Sequence, residues 1–324
     1  MTAVLEQNTF IGRENERPEE QKEGIHDVIT SFSYLDTSIP GYNDPITFPK
    51  DPKDRENLLD IPGNRKTLVV QPATVTDVTR DMRAYTLDTH GFHFVKHTTQ
   101  CQKNAFLDED DIRPQYYPEV EQLLKHVTGA TFVHFFDYAA RGPVGGNSED
   151  PTMNGPVKSV HCDQSYDGAR KVVMSRIDDK EFAEEIVANR RFQIINVSRL
   201  CAMTKLTLPI PIARRSQVWR PLKPVFKDPF AVTDARSVPE SDLVGLPVLA
   251  GDYMDESWAA RPNHAHRWYY TFAQQPDEVL IFKCFDSVND GKTARRVLHS
   301  AFTDPAQEHM APRESFEVRA VVVY

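Results

Sequence analysis

The run Val157-Lys158-Ser159-Val160-His161-Cys162-Asp163-Gln164-Ser165 reads as the end of a strand carrying an imidazole and a carboxylate two residues apart. On an extended chain residues i and i+2 face the same way. His161 and Asp163 therefore converge on one point while Cys162 turns away. This is most of a facial triad, the two-histidine, one-carboxylate donor set that holds non-haem Fe(II) and leaves coordination positions open. His-x-Asp is common by chance, so the reading needs a second histidine and an anchor for a co-substrate.

The C-terminal part offers both. His299 lies in Ala294-Arg295-Arg296-Val297-Leu298-His299-Ser300-Ala301-Phe302, read as a late strand, and Pro312-Arg313-Glu314-Ser315-Phe316-Glu317-Val318-Arg319 opens the last one. His-x-Asp, a distant histidine and then an arginine is the order that a double-stranded β-helix oxygenase needs. His161, Asp163 and His299 would take one face of Fe(II). 2-Oxoglutarate would chelate the other through its keto and C1 carboxylate groups, with O2 as oxidant. Its far carboxylate needs a permanent cation, for which arginine supplies a planar fork. Arg313 and Ser315 share a strand face and are the first candidates, with Arg319 further along the same face as competitor. The plainer alternative is three unrelated polar residues satisfied by hydrogen bonds, and spacing alone favours it. A non-catalytic helper of the same fold is a second reading, which an incomplete triad would favour. A metal-dependent isomerase or hydrolase is a third, and would not need the arginine.

Composition sets the frame. The 324 residues are 40% apolar and 26% charged, ordinary for a globular domain with a sizeable core. A net charge of −9 argues against nucleic acid, whose phosphates need a basic face. No apolar run reaches the ~20 residues of a membrane span. The first residues, Met-Thr-Ala-Val-Leu-Glu-Gln-Asn, lack the pattern of a secretory signal. Cys101, Cys162, Cys201 and Cys284 are scattered and form no Cys-x-x-Cys pair, so a reduced cytoplasmic compartment is expected. The expected partner is a small-molecule substrate.

Residues 1–66 are polar and broken by Pro40, Pro45, Pro49, Pro52 and Pro62. They read as an extended arm that docks through Phe32 and Tyr34, and residues 67–324 as the catalytic domain. Gly91–His97 alternates as a strand, and its His93 and His97, with His90, are expected to be surface residues rather than ligands. Tyr117–Val127 has helical spacing with Gly129 as its cap. Arg141–Pro156 is a Gly/Pro/Asn loop suited to a lid, and Arg141 is a candidate contact for an acidic substrate. Trp219 and Arg220 divide evenly between core packing and the pocket. His264 and His266 precede an aromatic strand and read as structural or pocket-lining, and Lys283 and Asp286 as a pair at a strand end. Asp178–Arg190 reads as helix. Phe192–Val197, Asp228–Thr233, Tyr269–Ala273, Glu278–Phe285, Arg296–Ala301 and Ser315–Tyr324 read as short strands. The fold class is mainly β with flanking helices, a double-stranded β-helix (jelly-roll or cupin-like) barrel.

The runs His161-Cys162-Asp163-Gln164-Ser165, Phe192-Gln193-Ile194-Ile195-Asn196-Val197, Trp219-Arg220-Pro221-Leu222 and Asn263-His264-Ala265-His266-Arg267-Trp268-Tyr269-Tyr270 resemble one family. So do Phe282-Lys283-Cys284-Phe285-Asp286-Ser287 and His299-Ser300-Ala301-Phe302-Thr303-Asp304-Pro305. It is the fungal hydroxylase/desaturase family that includes gibberellin desaturase and the aspergillic-acid hydroxylase, with likeness to a cephem methoxylase subunit. The resemblance covers roughly Leu68 to the last residue. It implies Fe(II)- and 2-oxoglutarate-dependent hydroxylation or desaturation of a small secondary metabolite, with His161, Asp163 and His299 at the metal positions. It does not choose between Arg313 and Arg319. One departure stands out. In the family the strand ending Ile-Asn-Val runs almost directly into Trp-Arg-Pro. Here Val197–Gln217 intervenes, bounded by residues that a GTG-AGT splice donor and a CAG acceptor would encode. A translated intron is the expectation, and a surface insertion the alternative, since loops tolerate length at modest entropic cost.

Overall fold

The computed structural model describes residues 24–50, 60–101, 109–141, 155–195, 219–251 and 253–324. Its strands are β1 (Val28–Leu35), β2 (Ile46–Phe48), β3 (Leu68–Asp77), β4 (Phe92–Lys96), β5 (Phe132–Arg141), β6 (His161–Cys162), β7 (Phe192–Ile195) and β8 (Trp219–Pro221). They continue with β9 (Phe230–Thr233), β10 (Leu243–Ala250), β11 (Tyr253–Ala260), β12 (Trp268–Tyr270), β13 (Glu278–Asp286), β14 (His299–Ala301) and β15 (Ser315–Val323). One sheet has nine strands in the order β1-β3-β12-β9-β14-β6-β11-β10-β2. The other has the order β4-β13-β7-β15-β5, with β8 also between β13 and β15.

The main core lies between the sheets. Phe32, Val75, Val232 and Trp268 of the larger sheet meet Phe92, Phe94, Leu280, Phe282 and Cys284 of the smaller one. β13 is buried along its whole length because both of its faces are covered. Leu280 and Phe282 face the main core, whereas Val279 and Ile281 pack with Val120 and Leu124 of the helix Tyr117–Thr128. That helix ends where the spacing predicts, at Gly129 in the left-handed conformation with φ of 77°. The helices Tyr166–Arg176 and Lys180–Asn189 cover Phe192, Ile194, Phe285, Val321 and Val323.

Residues 28–35 and 46–48, inside the expected arm, are strands of the larger sheet. β1 pairs antiparallel with β3 along its full length, and Phe32 and Tyr34 are buried, Phe32 stacked on Trp268 with ring centroids 3.9 Å apart. The β1 backbone also reaches the approach to β6, where the Val160 amide donates to the Ser33 carbonyl at 2.8 Å. Residues 1–23 lie outside the described chain.

β7 and β8 occupy one lane between β13 and β15. Ile195 is opposite Lys283 on β13 and Ala320 on β15. Trp219 is opposite Leu280 and Glu317. On each neighbour the lane therefore advances three residues, which leaves two positions between Ile195 and Trp219. The chain holds 23 residues there. The segment 197–217 lies outside the described residues.

Candidate metal centre

β6 is short, but it sits between β14 and β11 in the sheet, and His161 is directly opposite His299 on β14. Opposed residues of an antiparallel pair project together, and the two imidazole centroids are 4.4 Å apart. Asp163 follows two residues after His161, where the chain leaves the strand. Ser165 then fixes the exit: its amide donates to the Glu256 carbonyl at 2.8 Å, and its hydroxyl accepts from the Gly168 amide at 3.0 Å, capping the helix Tyr166–Arg176. Gly168 is required by close approach, since a Cβ there would collide with the Glu256 carbonyl oxygen.

One donor atom from each of His161, Asp163 and His299 lies within 4.8 Å of the others. Asp163 Oδ1 is 3.4 Å from His161 Nε2 and 3.5 Å from His299 Nε2. The side chains are 9%, 6% and 0% exposed for His161, Asp163 and His299. His161 Nε2 and His299 Nε2 are buried without a hydrogen-bond partner. Buried polar atoms are seldom left so, and two orphaned imidazole nitrogens around one carboxylate oxygen match the donor chemistry of a divalent metal. His161 Nδ1 lies 2.6 Å from the Ser159 carbonyl oxygen. A carbonyl only accepts, so Nδ1 carries the proton and Nε2 keeps its lone pair inward, the usual outer support of a metal-bound imidazole.

Electrostatics hold Asp163 and His299 in their ligating forms. Burial first, and then the neighbouring His161, push the His299 pKa down to about 4. Burial raises the Asp163 pKa, but Arg319 and the two imidazoles overcome it and hold the carboxyl well below the usual range. The His299 shift carries a test in metal-free protein. The unfolded chain takes a proton on this residue near pH 6.5, and the folded chain only near 4. Its contribution, up to roughly 3 kcal/mol, is thus present above pH 6.5 and is lost as pH falls toward 4. In a chelator, wild-type Tm is expected to fall more steeply than that of His299→Gln across this window. Parallel curves would refute the assignment.

Arg319, 1% exposed, faces three carboxylates. Its Nη2 is 3.6 Å from Asp163 Oδ2 and 3.5 Å from Glu317 Oε1, and its Nη1 is 3.2 Å from Asp137 Oδ2. Arg313 lies just ahead of β15; its Nη1 donates to the Asp228 carbonyl at 2.9 Å, and its guanidinium carbon is 5.9 Å from the Phe230 ring centroid. That ring is in turn 5.7 Å from the His299 ring. Ser315 Oγ is fully buried without a hydrogen-bond partner. The backbones of Arg141 and Trp219 are opposite Ser315 and Glu317, and Arg220 is opposite Phe316; the side chains of these three candidates lie outside the described residues, as does the loop expected to form a lid.

Comparisons with known proteins agree with the geometry. A family model described as an oxidoreductase/YMDC permease-like domain matches residues 44–215 and 212–323. The hydroxylase/desaturase efuI of Hormonema carpetanum is 32% identical over 276 residues, 78% of this chain and 84% of the relative. The chain belongs to this fungal hydroxylase/desaturase family. Another relative, the alpha-ketoglutarate-dependent dioxygenase tstK of Talaromyces stipitatus, is 30% identical, with 83% of this chain and 90% of the relative covered. A variant of the iron and alpha-ketoglutarate-dependent endoperoxidase NvfI superposes with a TM-score of 0.73 at 25% identity, covering 92% of this chain and 97% of that one. The fold of this hydroxylase/desaturase relative is thus that of the Fe/2-oxoglutarate dioxygenases, the jelly roll.

The other histidines stay away from the centre. His93 bonds to the Tyr85 carbonyl and His97 lies 3.7 Å from Glu119. His266 is held between Tyr34 and Asp242, and lines a cleft of about 270 Å³ with His264. Lys283 and Asp286 do pair, at 2.7 Å, in a network with Asp88 and Arg191. The sequence reading missed Asp137 and Glu317. Glu317 carried a signal in its two-residue spacing from Arg319; Asp137 becomes visible only through the β5–β15 register.

Proposed function

We propose that His161, Asp163 and His299 hold Fe(II), that Arg313 and Ser315 take the far carboxylate of 2-oxoglutarate, and that the protein hydroxylates or desaturates a small secondary metabolite. The observation that carries this reading is the convergence of two buried, unpartnered imidazole nitrogens on one Asp163 oxygen. When bound, iron supplies oxidation of the substrate by O2, coupled to conversion of 2-oxoglutarate to succinate and CO2. The chain's own part is to orient three ligands on one face, to hold the co-substrate by its charged end and to keep water out. The helper reading has no support in these relatives or in the site, where the donor set is complete.

Charge argues against Arg319 as the anchor. Arg319 already faces Asp137, Glu317 and Asp163, and a fourth carboxylate would meet net repulsion. Arg313 faces the Asp228 carbonyl and the Phe230 ring, with the buried Ser315 hydroxyl two residues away. Loss of a charge-assisted fork is worth on the order of 100-fold in affinity. Arg313→Ala is therefore expected to weaken 2-oxoglutarate binding about 100-fold. Calorimetry on Mn(II)-loaded protein checks this, and an unchanged affinity would move the anchor elsewhere. The reading as a whole is tested by anaerobic titration with Fe(II) and 2-oxoglutarate, which should give the visible charge-transfer band of such chelates. No band, with both ligands in excess, rejects it.

The register supports reading Val197–Gln217 as additional to the barrel. Removing it leaves Asn196 and Val218, two residues for the two positions between β7 and β8. The segment then has the length and frame of a short translated intron. Sequencing the cDNA decides: a major transcript that keeps these codons excludes an intron and leaves a surface insertion. The net charge of −9 and the absence of any disulfide among the described residues support a cytoplasmic protein without a nucleic-acid partner. None of the described helices is long and apolar enough to cross a membrane.

A further inference from the structure

We infer that Arg319 is a positioning residue that decides which oxygen of Asp163 the metal receives, and that Asp137 holds Arg319 in place to do so. The inference rests on the iron reading above. The two oxygens of Asp163 have separate surroundings. Oδ1 faces His161 Nε2 and His299 Nε2 at 3.4 and 3.5 Å, and Oδ2 faces the Arg319 guanidinium at 3.6 Å. A carboxylate that offered both oxygens would fill two coordination positions. A facial triad must leave three positions for a bidentate co-substrate and O2. The guanidinium draws Oδ2 aside and leaves Oδ1 as the single donor.

The fold places Arg319 for this task. It lies on the β15 face shared by Ser315 and Glu317, opposite Asp137 on β5. The register then shifts: Arg319 pairs with Asp137 but Ala320 pairs with Phe135, so Phe136 is an extra residue on β5. Such bulges re-aim side chains beside functional sites. Here Phe136 is buried in the apolar cluster with Val321 and Val323, while Asp137 stays level with Arg319. Asp137 Oδ2 then holds Nη1 at 3.2 Å, which leaves Nη2 between Asp163 Oδ2 at 3.6 Å and Glu317 Oε1 at 3.5 Å. At 1% exposure the guanidinium gains little from water, so the carboxylates fix its position.

The test compares two chelators on Co(II)-loaded protein without oxygen: 2-oxoglutarate, and pyruvate, which has the same keto-acid end but no far carboxylate. Arg319→Met is expected to weaken both about 10-fold and equally, as loss of outer-shell support does. Arg313→Ala should weaken 2-oxoglutarate alone. Infrared difference spectra of protein labelled at aspartate carboxyls, with metal but no chelator, should show the wide band splitting of a one-oxygen carboxylate in wild type. The splitting should narrow in Arg319→Met. If Arg319→Met does not fold, Asp137→Asn gives the same pattern at smaller amplitude, with Tm recorded alongside. Equal chelator losses with an unchanged splitting would overturn the inference, as would loss of 2-oxoglutarate binding alone in Arg319→Met, which would make it the anchor. A wild type that binds neither chelator would instead reject the iron reading.

Discussion

His161→Ala is expected to give a folded protein with no visible absorption on anaerobic addition of Fe(II) and 2-oxoglutarate, and with turnover reduced far more than 100-fold. The size follows from the site. Removing an outer-shell partner of a metal ligand typically costs about 10- to 100-fold, and His161 is one of only three proposed donors. Stability should suffer less, because the substitution also removes a buried nitrogen without a partner. The Ser159 carbonyl would lose its bond from Nδ1, which caps the gain. Absorption at wild-type strength in this variant would show that the metal sits elsewhere. Restoration of the band by added imidazole would strengthen the assignment, since the cavity left by the missing ring opens onto the donor position.

The second large effect is expected from deleting Val197–Gln217. Shortening the link between β7 and β8 from 23 residues to two removes about 2 kcal/mol of closure entropy on a logarithmic scale. For a domain of this size that raises Tm by roughly 4 °C. The deletion should leave the Fe(II)·2-oxoglutarate absorption intact, since both strands keep their neighbours. A deletion variant that fails to fold, or loses the absorption, would show that the segment belongs to the fold.

Much of the site was readable before the fold. His161 and Asp163 are identifiable because strand geometry converts a two-residue spacing into a shared direction, and His299 through the order of motifs along the chain. The strand β13 and the helix Tyr117–Thr128 were legible through the apolar run Val279–Phe282 and a glycine cap. The helix Tyr166–Arg176 was not, because Gly168 interrupts its first turn and only Ala169, Val172 and Val173 mark its buried face. The cap at Ser165 was the available signal. The hairpin of β10 and β11 was missed for a different reason. Pro247 argues against a strand with neighbours on both sides. β2 covers β10 only along Val248–Ala250, so the proline lies beyond that pairing. Asp137 needed the bulge, which no local pattern announces.

The union of β1 with the approach to β6 bears on how the molecule assembles. The Thr30 hydroxyl donates to the Thr303 carbonyl and His26 meets Asp304, while β1 lines the strand that leads into His161. The proposed donors come from residues 161, 163 and 299, and the arginine beside them from 319. Contacts so distant in sequence are formed late and slowly. Nascent chains must therefore pass through synthesis of β14 before the three proposed donors exist together, and of β15 before Asp163 has its guanidinium. Metal capture by the three proposed donors thus reports on the fold: a chain stopped before β14 lacks His299, and one with β15 out of register leaves Asp163 without its guanidinium.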